Sequence, residues 1–185
     1  VWATHLKSFG LGNFMGYDLT TGRKGHIPTS KFYDRFYPNG GWRSTTIISN
    51  SIGQGEVSMT PIQLANMMAT IANRGYYYTP HIIKKIKGRK IDTKYTTKHV
   101  TTIDRKYFDP IVNGLFDVYN HGTAYGLGVP GLEICGKTGT AENFAKINGK
   151  RVQLEDHSEF VAFAPRIQPK IAIAVIVENG HYGNT

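Results

Sequence analysis

The sequence predicts an α+β fold in which a helical part is followed by the strands of an antiparallel sheet. Three observations carry this. Thr60-Pro61-Ile62-Gln63 opens a helix that is apolar on most of its sides, the pattern of a helix buried at a domain centre. Asp109-Pro110 opens a second, with Ile111, Val112, Leu115, Phe116 and Tyr119 at helical spacing. Beyond it, strand-like runs follow one another through turn-like connections, which is how a meander reads in sequence. The chain of 185 residues, 40% of them hydrophobic, suits one domain or a large part of one. We read residues 1–185 as a portion of a single domain, because the chain opens on Val1 and stops directly after a strand-like run.

Residues 1–28 carry glycines at 10, 12, 16, 22 and 25 among Phe9, Leu11, Phe14 and Tyr17. That spacing predicts a helix end and then a compact, turn-rich crossing. Gly10-x-Gly12 lacks the further glycine and the apolar helix that a phosphate loop requires. Residues 29–50 gather Phe32, Tyr33, Phe36, Tyr37 and Trp42 around Pro38-Asn39-Gly40-Gly41 and read as an aromatic loop, lining a groove or forming a satellite core. Ser51-Ile52-Gly53-Gln54-Gly55 is a polar turn, either a wall of a site or a plain connector.

The helix at Thr60 has the strongest local signature. A hydroxyl cap, proline at the first helical position and glutamine three after the cap make a capping box. Gln63, Asn66, Thr70 and Asn73 form a narrow polar stripe, and Gly75 supplies the left-handed stop. The second helix, opening at Asp109, closes near His121-Gly122. Leu132 to Glu142 then reads as a strand, and Asn148-Gly149 between Ile147 and Val152 signals a tight turn. Glu159 to Ala164 and Ile171 to Glu178 are strands around a Pro165–Pro169 turn, the second apolar on both faces.

The formal charge of +9 is concentrated. Lys84 to Lys106 holds nine Lys or Arg against Asp92 and Asp104, a net of +7, so everything else sums to +2. With Ile91, Thr96, Thr97 and Val100 between its charges, this segment reads as a solvated surface hairpin rather than a nucleic-acid groove, since no module or stacking aromatics accompany it. Anionic lipid headgroups or a pyrophosphate-linked substrate stay open as its partners. The longest aliphatic run, Ile171 to Val177, is too short to cross a bilayer. A single cysteine, Cys135, excludes an internal disulfide framework and reads as a small buried hydrophobe. The seven histidines are too scattered to argue for a metal, and no cofactor is expected.

The chemistry lies in Leu132 to Glu142, LEICGKTGTAE. Gly136-Lys137-Thr138-Gly139-Thr140 puts one cation, two hydroxyls and two residues without side chains into a strand. Glycine weakens a strand and marks places where a ligand or another backbone comes close. Lys137 supplies a compact positive charge with three donors, and Thr138 and Thr140 supply short hydroxyls. Such an edge suits an anionic ligand lying along it as an added strand, which points to capture of a peptide carboxylate.

This segment resembles the third motif of penicillin-binding proteins and serine β-lactamases, whose set is Ser-x-x-Lys, Ser-x-Asn or Ser-Asp-Asn, and Lys-Thr-Gly. The likeness extends to Phe9-Gly10-Leu11-Gly12 with Gly16-Tyr17-Asp18-Leu19, Ser51 to Gly55, Thr60 to Ala65, Ala72-Asn73-Arg74-Gly75, Phe160 to Pro165 and Val175 to Gly180. In that order and spacing, the chain is similar to the C-terminal part of the transpeptidase domain of a class B penicillin-binding protein of the elongation type. The other two motifs are missing, because none of the seven serines has lysine three residues later or asparagine two residues later.

The resemblance implies a β-lactamase/transpeptidase-like fold, here incomplete, and serine acyl transfer between peptidoglycan stem peptides, with β-lactams as mimics of the D-alanyl-D-alanine end. It implies that Lys137 supports the charge network of the nucleophile. Thr138 and Thr140 then hold the substrate carboxylate, the Thr140 N–H is an oxyanion donor, and Gly139 lets the substrate backbone lie against the strand. It further implies a membrane-anchored parent protein acting outside the cytoplasm with the cell-elongation machinery. The missing motifs lead us to expect nucleophile and base before Val1, an inert fragment, and an uncovered sheet edge and face that favour self-association. A β-lactamase or β-lactam sensor, or a non-catalytic cell-wall scaffold, are the alternatives; β-lactam turnover or the absence of an upstream Ser-x-x-Lys distinguishes them.

Overall fold

A computed structural model describes residues 1–15 and 18–181; Gly16 and Tyr17 of the Gly16-Tyr17-Asp18-Leu19 match lie outside them. Helix α1 (Trp2–Ser8) leads into the turn-rich crossing expected from the glycines. The aromatic segment is more regular than a loop. Thr29 caps a two-turn helix α2 (Ser30–Phe36), its side chain accepting from the Phe32 N–H, and a 3-10 run follows over Ser44–Ile52. Phe32, Tyr33, Phe36 and Trp42 touch one another at centroid distances of 4.7 to 5.5 Å; of these only Tyr33 is buried, Phe36 is exposed, and Tyr33 and Trp42 also line a groove with Trp2, Ile47 and Ile48.

Helix α3 (Pro61–Ala72) begins and ends where its caps dictate. The Thr60 N–H donates to Gln63 Oε1 at 2.9 Å, and Arg74 and Gly75 turn left-handed at φ 59° and 105°. Its polar stripe is buried. Gln63 Nε2 donates to the carbonyls of Asn13 and Lys24, each at 2.9 Å, and Asn66 Nδ2 donates to the carbonyl of Phe9 at 3.1 Å. The side chains of α3 thus supply the hydrogen bonds that the glycine-rich crossing cannot find in regular structure.

The basic segment is not a hairpin. Strand β1 (Tyr76–Tyr78) pairs antiparallel with β2 (Lys98–Val100), and between them lie an irregular arm and the one-turn helix α4 (Thr93–Thr96). The sequence reading missed this because the pairing partner of β2 precedes the charge cluster. Helix α5 spans Phe108–Asn120, starting before the expected cap. Asp104 caps a 3-10 turn that runs into it, which leaves Asp109 in the first helical turn, 3.0 Å from the Arg74 guanidinium.

The sheet is the expected antiparallel meander, ordered β3 (Cys135–Ala141), β6 (His157–Ala164), β7 (Ile171–Val177). The excursion between the first two is itself a hairpin, β4 (Phe144–Ile147) with β5 (Lys150–Gln153), whose turn uses Asn148 and Gly149 at φ 51° and 78°. Cys135, Phe163 and Ala172 stand opposite one another across the three strands and meet Met68 and Ala72 of α3 and Val112 of α5 in the core. The alternate residues of β7, Ile171, Ile173, Val175 and Val177, are exposed, so the strand apolar on both faces has one face covered. Among the described residues no helix is long and apolar enough to cross a membrane.

Candidate active site

The site is built on β3, which pairs with β6 on one side; no strand of the described residues pairs with its other side. Strand alternation places Lys137 and Gly139 on the face of Cys135, and Thr138 and Thr140 on the face of Gly136. Gly136 is glycine for lack of room. A Cβ there would stand 2.9 Å from the Phe160 ring, 3.0 Å from the Val161 carbonyl oxygen and 3.1 Å from the Ala162 Cβ. At Gly139 a Cβ would stand 3.2 Å from the Glu159 Cβ and 3.3 Å from its carboxylate oxygen, so the space here is bounded by one residue of the paired strand.

All four residues singled out in the sequence are on this strand. The Lys137 Nζ curls back to the carbonyl of Thr138 at 2.7 Å and is exposed. The Thr138 hydroxyl shares a hydrogen bond of 2.8 Å with the hydroxyl of Thr123, in the turn that follows α5. Thr140 is reached from elsewhere: Gln54 Nε2 donates to its carbonyl at 3.4 Å, which brings the Gly53–Gly55 turn to the strand. The turn is set by Gly53 at φ 80° and Gly55 at φ 71°, where a Cβ on Gly55 would press on the Asn50 Oδ1 at 2.9 Å.

Thr123 was not singled out in the sequence. Its only mark there is its place in Gly122-Thr123-Ala124 after a helix end, a pattern shared with many connectors. Cys135 is fully buried, and burial pushes its thiol up to about 11, which disfavours the thiolate that a nucleophile needs. Ser51 donates to the Ile48 carbonyl at 2.6 Å within its own turn, and Ser158, on β6, donates to the Gly180 carbonyl beyond β7 at 3.1 Å. What remains is an edge strand among the described residues, with one cation on one face, hydroxyls on the opposite face and Gln54 beside it.

Comparison with known proteins fits this geometry. Residues 2–185 match the family model described as the penicillin-binding protein transpeptidase domain. A peptidoglycan D,D-transpeptidase, MrdA, of Acinetobacter baumannii is 35% identical over 97% of this chain, which spans 28% of that relative. Among solved structures, Pseudomonas aeruginosa PBP2 in complex with WCK 5153 superimposes with a TM-score of 0.79 at 30% identity, covering 99% of this chain and 38% of that one. The PBP2 of Helicobacter pylori gives 0.76 at 28% identity, covering 98% and 32%. The chain therefore spans less than a third of the length of the curated relative. Its antiparallel sheet with flanking helices is the β-lactamase-like fold, and the chain belongs to the penicillin-binding protein transpeptidase family, in its PBP2-type branch.

Proposed function

We propose that this chain is the C-terminal portion of the transpeptidase domain of a peptidoglycan D,D-transpeptidase, and that β3 is the strand along which the stem peptide lies. The observation that carries this reading is the open side of β3, with Lys137, Thr138, Gly139 and Thr140 on it and Gln54 beside it. An extended peptide ending in a carboxylate adds to such an edge by backbone hydrogen bonds, and its charge falls near Lys137 and the threonine hydroxyls. The bond from Thr123 orients the Thr138 hydroxyl before substrate arrives.

In the reaction, a serine Oγ bonds to the carbonyl carbon of the penultimate D-alanine and its proton passes to a base; the C–N bond breaks and D-alanine leaves with a proton as an amine. The amine of a neighbouring stem peptide then displaces the serine oxygen and completes the cross-link. Lys137 steadies the charge network of that serine, and the Thr140 N–H donates to the oxyanion, a contact worth about 3 kcal/mol in hydrolases that use one. None of this chain's seven serines is followed by the required lysine. We place the Ser-x-x-Lys and Ser-x-Asn motifs upstream of Val1, and the chain by itself as inert. β-Lactams acylate the same serine in this reading, and the whole protein works at the outer face of the inner membrane with the elongation machinery, anchored by a segment outside this chain.

The test is intact-protein mass after incubation with a penicillin, on this chain and on a version extended upstream through the whole domain. A stable adduct on the extended version alone supports the reading. An adduct on this chain makes one of its own serines the nucleophile, and adducts on neither make the protein a scaffold.

A further inference from the structure

The most charged part of the molecule has no role in the site. Residues 81–94 are all exposed, and within them Ile82-Ile83-Lys84-Lys85-Ile86-Lys87-Gly88-Arg89-Lys90-Ile91 sets four isoleucines among five cations. The arm has a defined shape. At its base the Asp18 carboxylate accepts from the N–H groups of Ile82 and Ile83 at 2.8 and 2.6 Å. At its tip the Arg89 N–H closes a turn on the Ile86 carbonyl at 3.1 Å, with Gly88 at φ 76°.

Charge around the arm is one-sided. Lys94 adds a sixth cation, pairing at 3.9 Å with Asp92, the arm's one carboxylate. Asp18 is kept ionised by the Ile83 N–H, with help from Tyr95, and its charge is spent on the base of the arm. His81 is held against the Tyr95 ring at a centroid distance of 4.6 Å and to the Thr79 carbonyl at 3.0 Å.

We infer that this arm docks on an anionic phospholipid surface, its cations meeting headgroup phosphates and Ile82, Ile83, Ile86 and Ile91 entering the acyl boundary. The isoleucines decide the partner. A merely solvated loop gains nothing by holding Ile82 at 76% exposure beside three more of its kind. Binding to a nucleic acid backbone needs the cations but has no use for aliphatic side chains; it recruits stacking aromatics, and the tyrosine of this segment, Tyr95, is already engaged with Asp18, His81 and Lys94. An interface that is charged at the surface and apolar a few ångströms below uses both residue types at once. This inference stands apart from the proposed transpeptidase function, since no residue of β3 or of the Gly53–Gly55 turn takes part.

The experiment is vesicle sedimentation of the 185-residue chain on phosphatidylcholine alone and on phosphatidylcholine with phosphatidylglycerol. Binding should be at least about tenfold tighter to the anionic vesicles and weaken steeply from about 50 to 300 mM salt. A charge-reversed variant, Lys84→Glu with Lys85→Glu and Lys87→Glu, should lose that preference. A second, Ile82→Ser with Ile83→Ser and Ile86→Ser, should keep the sign of the salt dependence but bind about fivefold or more weakly; circular dichroism checks that both remain folded. Equal binding to neutral vesicles, an unaffected charge-reversed variant, or an isoleucine variant that binds undiminished would overturn the inference. So would duplex DNA that displaces the chain from vesicles at matched phosphate concentration while the isoleucine variant binds that DNA normally.

Discussion

Gln54 and Thr140 stand 86 positions apart in sequence, and the side-chain amide of the first donates to the backbone carbonyl of the second at 3.4 Å. That contact links the Gly53–Gly55 turn to the strand that carries Lys137. At this length it is a weak hydrogen bond between exposed groups, a means of positioning rather than of holding the fold together. In the domain extended upstream, Gln54→Ala should slow penicillin acylation by roughly threefold to tenfold and leave the melting temperature within about a degree. Lys137→Ala should slow it by about a hundredfold or more, the scale of a lost proton-transfer or charge-stabilising group. Stopped-flow acylation rates separate the two, and equal losses would remove the distinction between wall and charge.

The two glycines of β3 should respond differently to alanine. Gly136→Ala forces a Cβ against backbone and a packed ring, so it should lower stability by about 1–3 kcal/mol in urea denaturation. The methyl of Gly139→Ala would stand 3.2 Å from the Glu159 Cβ and 3.3 Å from its carboxylate; the carboxylate can swing away and the Cβ needs a shift of a few tenths of an ångström, so the loss should be smaller, about 1 kcal/mol. If the stem peptide lies along β3 as proposed, its larger effect should fall on acylation in the extended domain.

Gln63 is 1% exposed and serves three backbone groups, the N–H of Thr60 and the carbonyls of Asn13 and Lys24. Gln63→Leu preserves bulk and apolar burial but leaves these groups without a partner. Each such buried group costs on the order of 1–3 kcal/mol, so the variant should lose at least about 3 kcal/mol, or fail to accumulate folded. Urea midpoints on this variant and on the neighbouring Ile62→Ala, at a partly exposed position, provide the comparison.

Cys135 is raised from 9.0 to about 11 by burial. The sign follows directly: the folded state favours the neutral thiol, so its contribution to stability is whole below pH 9 and is lost as pH rises toward 11 and the unfolded chain gains by ionising. Below that window an aromatic disulfide reagent should leave Cys135 unmodified in the native chain at pH 8 and label it fully in denaturant. Rapid native labelling would mean that the core opens around it.

What the sequence made legible was local. The limits of α3 follow from chemistry within four residues of each end, at Thr60-Pro61 and Gln63 and at Arg74-Gly75, and the sheet follows from apolar runs separated by turn residues. The α2 helix was missed because its aromatics pack on one another and show no stripe toward the main core. The start of α5 was misplaced because Asp104 and Asp109 both present a capping carboxylate, and the earlier one captures the chain. Of the site, Lys137, Thr138, Gly139 and Thr140 could be read as a run along one strand. Thr123 and the reach of Gln54 could not, since they act through contacts 15 and 86 residues away that no local pattern records.

The way α3 finds its cover has a consequence in time. Its apolar side closes on β6 and β7, and about a hundred residues separate Ala72 from Ile171. A ribosome adds roughly 5–20 residues per second, so the helix spends about 5–20 s made but without the strand it packs against. During synthesis the polar stripe is the side of α3 that can be satisfied first, because Phe9, Asn13 and Lys24 have already emerged. The buried glutamine and asparagine therefore give the nascent helix an early anchor on its own upstream chain while its oily side waits.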